Sequence, residues 1–301
     1  MRRAAFGLVV AIVLGGLVGC SSTLVSASDR IVLDLPWHDY QRVVVRTVDG
    51  QVDLACGTGE QLQIRGVKRA GGRTWAEASE NLNRLTVVAR PDETDATTFR
   101  IELEFPDELR SKAVGADFDI RVPKSCAAEV ATENGAISVS GLKDTVQLSS
   151  ANGRIAVDDV AGAVEVDTSN GRITVQSVKG DCRLRSSNGS ITAHGVEGSV
   201  RAETSNGEIS VKATPTAQGE ITLRTSNGAI QLVVPKDLPA DLHFGTSNGC
   251  VRVPAGLLAS RDSSLGKRAG SPPEKLDVQM NGGGCRIEAT TSNGSITLET
   301  R

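Results

Sequence analysis

The side chains that most often perform chemistry are few in this chain, and they lie far apart. Its three histidines, His38, His194 and His243, stand in unrelated positions, whereas a metal site needs several ligands that converge on one point. The chain has no phosphate-binding loop, no Gly-x-Ser-x-Gly nucleophile motif and no His-Glu-x-x-His zinc motif. We therefore expect no metal, no cofactor and no catalytic residues, and we interpret the histidines as isolated surface or turn residues.

Charged side chains offer two further kinds of chemistry. Polysaccharide lyases and hydrolases on β-helices need clustered carboxylates or basic residues, and the candidate acids here are Asp158, Asp167 and Glu203. Arg154 and Arg172 each follow an Asn-Gly pair directly, at the same position of a repeat. If the repeats stack, these two arginines lie on adjacent coils and could meet an acidic glycan. The alternative interpretation is that both are simply solvated.

Beyond Cys20 the chain has an odd number of cysteines, so at least one is not in an intramolecular disulfide. They are Cys56, Cys126, Cys182, Cys250 and Cys285. Cys182 stands in a row of apolar residues, which predicts a buried, inert thiol. Cys250 and Cys285 both follow glycine turns and could form a disulfide in an oxidising compartment. The alternative pair is Cys56 with Cys126, because spacing alone does not fix the connectivity.

The first twenty residues predict an exported protein that is anchored by lipid. Arg2 and Arg3 precede an apolar run over residues 4–18, which is too short for a membrane span. The run ends in Leu-Val-Gly-Cys at Cys20, which resembles the lipobox of bacterial lipoproteins. The resemblance implies a signal peptide over residues 1–19, acyl chains such as palmitate on Cys20, and a lipidated tether over residues 20–29. The alternative is an ordinary secretory signal followed by a cysteine by chance.

Asn-Gly pairs recur at a fixed interval through the second half of the chain. Five consecutive pairs are 18 residues apart, two more follow at intervals of 21, and one lies near the C-terminus. Their asparagines are Asn134, Asn152, Asn170, Asn188, Asn206, Asn227, Asn248 and Asn293. A second glycine recurs midway between the pairs, so each unit has two turns. Asn and Gly both tolerate a positive φ, which we expect the Asn-Gly turn to require, and stacked Asn side chains can form a ladder of hydrogen bonds.

Apolar residues occupy the same positions in every unit. An isoleucine stands three residues after the asparagine, as at Ile155 and Ile173, and polar residues alternate with apolar ones after it. Alternation indicates strands with one wet face, and a fixed period indicates stacked coils. The sequence therefore predicts an all-β fold, a parallel β-helix or β-solenoid with 18-residue coils. The same alternation also fits an antiparallel β-meander with hairpins at Asn-Gly, closed into a barrel.

The β-solenoid domain is predicted to span residues 30–301. Residues 43–54 already match the repeat, with Asp-Gly in place of Asn-Gly, and an irregular part follows over residues 57–122. Within it, residues 75–82 predict a short surface helix.

The later part of the domain is predicted as regular repeats, a loop and a return to the repeat. The repeats span residues 123–256, and residues 276–301 form C-terminal coils. Residues 260–275, rich in Ser, Gly, Pro and charge, predict a disordered insertion loop.

Two sequence elements and the signal together resemble one known family. Val-Pro-Lys at residues 122–124 returns at residues 234–236, and Ser-Asn-Gly-x-Ile-x-Val repeats lie between and after them. In this combination the chain, from about residue 40 to its end, resembles the DUF4097 family of proposed adhesin-like β-helical proteins of bacteria. The resemblance implies a right-handed β-helix at the cell envelope, and it brings no agreed active site.

Charge and resemblance together narrow the function. The net charge of −3 and the lack of a domain-scale basic patch argue against nucleic acid as a partner. We expect a non-catalytic envelope lipoprotein that presents a face to a glycan, a protein or another envelope component. Its expected location is the outer membrane where the organism has one, and otherwise the outer face of the cell membrane. The alternatives are a carbohydrate-active β-helix enzyme and an accessory in envelope-stress signalling.

Overall fold

The computed structural model describes residues 25–258 and 274–301. The chain divides into two compact units, Met1–Gly135 and Ala136–Arg301. The signal peptide and Cys20 lie outside the described residues, as does the insertion loop predicted for residues 260–275 except for its last two residues. Among the helices of the described residues, none combines the length and the apolar character needed to cross a membrane.

The N-terminal unit consists of two groups of strands and one helix. Its strands are β1 (Val25–Pro36), β2 (Arg42–Arg46), β3 (Val52–Cys56), β4 (Gln61–Gly72), β5 (Thr86–Pro91), β6 (Thr98–Glu104), β7 (Gly115–Val122) and β8 (Ala127–Thr132), and its helix is α1 (Trp75–Asn83). One group has the order β1-β4-β7-β3, and the other has the order β5-β6-β2-β8. Pairs involving β1, β4 or β5 are antiparallel, and the remaining pairs are parallel.

Strand β1 begins inside the segment that was expected to be a tether. Val25 pairs with Gly72 and Asp29 pairs with Lys68, so residues 25–29 belong to the sheet. The tether prediction over residues 20–29 is therefore wrong from Val25 onward, and the folded domain begins before residue 30. The reason is that the long partner strand β4 extends to Gly72 and pairs with all of these residues, among which Ala27 is 2 % exposed.

The helix predicted for residues 75–82 is confirmed as α1. Thr74 precedes it with extended backbone, and its hydroxyl accepts a hydrogen bond from the Glu77 amide at 3.2 Å, which is a typical N-cap. The side chain of Asn81 donates to the Gly71 carbonyl at 2.8 Å, so the helix is tied to the end of β4. Ala78 and Leu82 form its buried face.

The C-terminal unit is built almost entirely from short strands. They are β9 (Ile137–Ser140), β10 (Val146–Ser150), β11 (Ile155–Val160), β12 (Val164–Thr168), β13 (Ile173–Val178), β14 (Cys182–Ser186), β15 (Ile191–Val196), β16 (Val200–Thr204), β17 (Ile209–Ala213), β18 (Glu220–Asn227), β19 (Ile230–Val234), β20 (Ala240–Asn248), β21 (Val251–Arg252), β22 (Lys275–Met280), β23 (Cys285–Asn293) and β24 (Ile296–Thr300). One short helix, α2 (Ala255–Leu258), follows β21.

Successive coils stack in parallel, as the repeat predicted. Within this unit, sheet A has the order β9-β11-β13-β15-β17-β19-β24-β21, and sheet B has the order β10-β12-β14-β16-β18-β23-β20-β22. Ile155 pairs with Ile173 and Ile173 with Ile191, so residues 18 apart are neighbours. The alternative of an antiparallel meander closed into a barrel is wrong, and the β-solenoid is confirmed.

The core is a set of aliphatic rows that run through the stack. Ile155, Ile173 and Ile191 are each fully buried, and so are Val175 and Val178, two and five residues after Ile173 on the same strand. Large rings are rare among these rows, since Phe244 is the one aromatic residue in the core of the described C-terminal unit. Each coil buries mainly a few aliphatic side chains, so its stability depends on the coils stacked on it.

The last coils do not stack in chain order. Ile287 of β23 pairs with Ile221 of β18 on one side and with Leu242 of β20 on the other. Strand β24 likewise lies between β19 and β21. The C-terminal coils predicted at residues 276–301 are therefore inserted between two earlier coils, and β22 joins the sheet edge in antiparallel orientation. Nothing in the sequence indicated this order. Every coil has the same Asn-Gly turn, so the turns do not determine which coil stacks on which.

Candidate functional site

The Asn-Gly turn joins each strand of sheet B to the next strand of sheet A. In one coil, β12 ends at Thr168, residues 169–172 form the turn, and β13 begins at Ile173. We call the stacked turns of the C-terminal unit the Asn-Gly corner. Three features of this corner repeat from coil to coil: an asparagine ladder, a column of glycines and a column of hydroxyl groups.

The asparagine side chains form a continuous ladder of hydrogen bonds. Asn188 donates its Nδ2 to Oδ1 of Asn170 at 2.8 Å and accepts the Nδ2 of Asn206 at 2.8 Å. The same contact joins Asn170 to Asn152 at 2.7 Å, and Asn227 to Asn206 at 2.8 Å. Beyond Asn227 the ladder follows the order of the coils in space: Asn293 donates to Asn227, and Asn248 donates to Asn293. Within the ladder, an asparagine side chain donates to one neighbour and accepts from the other. An ionised aspartate could only accept, so it could not take this place.

The glycine after each asparagine is required by close packing of the coils. A Cβ at Gly189 would stand against the carbonyl oxygen of Gly171, well inside the 3.0 Å that real Cβ atoms keep from other heavy atoms. The same is true of Gly171 against Gly153 and of Gly228 against Gly207. The expectation of a positive φ at this turn is wrong, because the described Asn-Gly pairs have no residue in the left-handed region.

The left-handed residues of the repeat lie at its other turn. Asp159 and Ser177 have φ of 52° and 54°, and Gly141 and Gly195 occupy the same position with φ of 75° and 70°. These four residues are 18 apart in sequence. This column could not be recognised in the sequence, since only two of its four members are glycines.

A third column supplies hydroxyl groups to the corner. Thr204 donates its Oγ1 to the Gly189 carbonyl at 3.0 Å, and Thr225 donates to the Gly207 carbonyl at 3.0 Å. Thr168 differs, because its buried Oγ1 has no hydrogen-bond partner. The hydroxyls satisfy carbonyl groups that the tight turn leaves without a partner in the sheets.

Arg154 and Arg172 lie on the outer side of this corner, on adjacent coils. The Arg172 carbonyl accepts a hydrogen bond from the Ile155 amide at 3.0 Å, and Ile155 and Ile173 are neighbours across the sheet. Both arginine side chains are exposed. Arg172 donates its Nε to Oγ of Ser190, the residue at the same position of the next coil, at 3.1 Å. Within the described residues, neither arginine pairs with a carboxylate.

The arginines on the outer face of sheet B, unlike Arg154 and Arg172, lie beside carboxylates. Arg183 lies 3.7 Å from Glu165, and Glu203 accepts Arg201 at 2.6 Å and lies 3.4 Å from Arg185. These guanidinium groups are already neutralised by carboxylates on the same or neighbouring strands.

The candidate acids are not direct neighbours, because Arg185 of β14 stands in register between Asp167 and Glu203. Asp158 lies on β11 in sheet A, whereas Asp167 and Glu203 lie on β12 and β16 in sheet B. Glu203 is held by two arginines, as described above. Farther along the same face, Arg224 donates a hydrogen bond to Glu288 at 2.7 Å, and this bond lowers the pKa of Glu288. A general acid in a glycosidase needs the opposite shift.

The predicted disulfide between Cys250 and Cys285 is wrong. Cys285 pairs with Ala240 at the start of β20, whereas Cys250 follows Asn248 at the other end of that strand. Eight residues of strand separate the two ends by about 26 Å, far beyond the roughly 7 Å between Cα atoms that a disulfide spans. The Cys250 Sγ instead lies 3.4 Å from Oγ of Ser295. Cys56 is also a free thiol, so the alternative pair is not formed.

Cys182 is a buried thiol, as its row predicted. It is 2 % exposed, and burial, aided by the nearby Asp181 carboxylate, raises its pKa to about 12. Burial also raises the pKa of Cys285 to about 11. Both thiols therefore stay protonated at neutral pH and are poor nucleophiles.

The three histidines do not converge. His243 Nδ1 lies 3.0 Å from Asp277, His38 stacks on the edge of Tyr40, and His194 is exposed on β15. Among the described residues, no cluster of three or more His, Cys, Asp or Glu side chains could hold a metal ion.

Comparison with known proteins places the chain in a family. The chain is similar to the crystal structure of a proposed adhesin from Bacteroides fragilis, at 13 % identity with a TM-score of 0.41, over 90 % of this chain and 97 % of that one. It is also similar to a proposed cell adhesion protein from Clostridium sporogenes, at 8 % identity with a TM-score of 0.28, over 92 % of this chain and all of the other. No curated protein matches. The Toastrack DUF4097 family matches residues 13–299, and the chain belongs to that family.

Proposed function

We propose that this protein is a non-catalytic lipoprotein of the bacterial cell envelope whose Asn-Gly corner binds an acidic glycan. The observation that supports it most directly is the stacking of Arg154 and Arg172 on adjacent coils, both exposed and neither paired with a carboxylate of the described residues. Neighbouring parallel strands are about 4.8 Å apart, so the two positive charges stand close together. An anion is the partner that would relieve their repulsion.

The corner is also suited to binding because its backbone is rigid. The asparagine ladder ties each turn to its neighbours, as at Asn188, and hydroxyl groups such as that of Thr204 add a second hydrogen bond at several turns. An arginine on such a frame loses little backbone freedom when it binds a ligand. Guanidinium groups suit carboxylate and phosphate oxygens because they can donate two parallel hydrogen bonds.

Lipid attachment at Cys20 accounts for the envelope location in this proposal. Cys20→Ala removes the thiol that would be acylated, so labelled palmitate should be incorporated into the wild-type protein and not into the variant. Conversion to the mature form by a lipoprotein signal peptidase should stop as well. Equal labelling of both proteins would show that Cys20 is not the attachment site.

Glycan binding is tested with two arginine pairs that carry the same charge. Arg154→Gln with Arg172→Gln should weaken binding of the full chain to polygalacturonate about ten-fold or more, since hydrogen bonds to charged groups contribute about 1.5–3 kcal/mol each. Binding of the wild-type protein should also fall with added salt and should be absent for neutral dextran. Surface plasmon resonance on immobilised polysaccharide measures both.

The matched control is Arg183→Gln with Arg201→Gln on the outer face of sheet B. These arginines are already paired with Glu165 and Glu203, so their removal should leave affinity within about two-fold. Equal losses in both double variants would mean that only net charge matters and that the corner is not the site. Binding of neutral and acidic glycans alike would contradict the role of the arginines.

A further inference from the structure

The folded domain begins very near the proposed lipid anchor. Cys20 precedes Val25, the first residue of β1, by five residues. A chain extends by at most about 3.6 Å per residue, so a lipid on Cys20 would hold Val25 within about 18 Å of the attachment point. Whatever surrounds Val25 would therefore lie at the membrane surface.

Two of the three exposed large apolar residues of the described chain, Val25 and Trp75, lie at this end of β1. Among the described residues, the large hydrophobic side chains classed as exposed are Val25 at 36 %, Val32 at 45 % and Trp75 at 45 %. Val25 pairs with Gly72, the last residue of β4, and Trp75 begins α1 three residues later. An indole left in water three residues from the strand end is unusual in a chain with only two tryptophans.

Local contacts hold Trp75 in this place. A Cβ at Gly72 would stand against the Ala78 amide of α1, so the helix lies directly on the end of β4. The Arg73 amide donates to Glu77 Oε2 at 2.8 Å, and the Glu77 amide donates to the Thr74 hydroxyl. These bonds fix the first turn of the helix and with it the position of the indole.

The charges around Trp75 suit an anionic lipid surface. Arg73 is exposed and makes no ion pair within the described residues. The Glu77 carboxylate is occupied by Lys112 Nζ at 2.9 Å, and this bond together with the Arg73 amide lowers its pKa. Glu80, the next carboxylate of α1, is about 140° around the helix from Trp75. Within five residues of Trp75, Arg73 is therefore the charged residue that is neither in an ion pair nor placed on another side of the helix.

We propose that Val25, Arg73 and Trp75 contact the same bilayer that holds the lipid on Cys20. We call these three residues the membrane foot. Trp75 lies at the level of the lipid headgroups, where amphipathic rings are favoured, and Arg73 binds anionic headgroups. The foot orients the N-terminal unit on the membrane, which a lipid on a short tether alone would not do. This proposal rests on the proposed lipid anchor.

The test uses the lipidated full chain in vesicles of zwitterionic and anionic lipids. Trp37→Phe leaves Trp75 as the only tryptophan, and Trp75→Phe leaves the buried Trp37 as the matched control. In vesicles with dibrominated acyl chains, emission of Trp75 should fall about two-fold relative to unbrominated vesicles, because bromine quenches only nearby indoles. On either kind of vesicle the emission should shift to shorter wavelength than in water, because the indole enters less polar surroundings. Emission of Trp37 should not change.

Flotation of the vesicles separates the two proposals. Protein that floats with the vesicles while Trp75 emission is unquenched would overturn the membrane foot and leave the lipid anchor standing. Protein that carries no palmitate and does not float would refute the anchor, and the foot with it. Quenching of Trp75 together with flotation would support both.

Discussion

Replacement of Gly189 by alanine is expected to destabilise the C-terminal unit by about 3–5 kcal/mol. The new Cβ would stand against the Gly171 carbonyl oxygen on the neighbouring coil. The opposing atom is backbone, so it cannot rotate away as a side chain would. The two coils would have to separate by roughly an ångström, which would break the hydrogen bonds between their strands, including that from the Asn188 amide to the Ser169 carbonyl at 2.8 Å.

Gly245→Ala is the matched control for this prediction. Gly245 lies in β20 of the same unit, and a Cβ there would meet no heavy atom within 4 Å. Alanine also restricts the unfolded chain more than glycine does, so the expected change is within about 0.5 kcal/mol in either direction. Urea unfolding followed by circular dichroism measures both variants. Similar midpoints for the two would show that the corner glycines are not needed for close packing.

Much of the fold could be predicted because the rows of the repeat are visible in one sequence. Ile155, Ile173 and Ile191 stand at equal intervals, and the structure places them in register on adjacent strands. A buried row has to be apolar in every coil, so apolar residues recur in the sequence at a fixed period. Parallel stacking was predicted from this period together with the scarcity of aromatic residues.

The cause of the Asn-Gly repeat could not be predicted in the same way. Glycine serves both for a positive φ and for close approach of two backbones, and the sequence does not distinguish these needs. The structure assigns the second need to Gly171 and Gly189. It assigns the positive φ to the other turn, where Asp159 and Ser177 adopt it without being glycine.

The stacking order of the last coils could not be predicted from the sequence. The insertion of β23 between β18 and β20 depends on which equivalent corner stacks on which, and the corners are alike. The disulfide prediction failed for the same reason. Cys250 and Cys285 follow similar glycine turns, but they belong to opposite ends of paired strands.

The adjacency of the two candidate binding residues could be predicted from the sequence, but the side chains around them could not. Arg154 and Arg172 are adjacent because they share a position in the repeat, which is a local property. What distinguishes them from Arg183 and Arg201 is the lack of a carboxylate neighbour, and that depends on side chains of other strands. The contact of Arg172 with Ser190 is the one partner that the 18-residue period alone would have identified.

A carboxylate introduced into an isoleucine row tests the row assignment most severely. Ile173→Asp is expected to destabilise the C-terminal unit by at least about 4 kcal/mol, because it removes a buried side chain and buries a charge without a partner. Ile173 is fully buried, and its neighbours in the row are Ile155 and Ile191. None of these side chains could donate a hydrogen bond to the new carboxylate.

The adjacent substitution Arg172→Asp controls for the change of charge at the same point of the chain. Arg172 is exposed, and its one described side-chain contact is the hydrogen bond to Ser190 at 3.1 Å, so the expected loss is below about 1 kcal/mol. Both variants alter the same coil beside the same Asn-Gly turn, and they differ in whether the carboxylate points into the stack or into water. If the two unfold at the same urea concentration, Ile173 does not lie in a buried row. If Ile173→Asp alone unfolds early, burial of this row helps to hold each coil to its neighbours, because a coil buries its apolar side chains only when other coils stack on it.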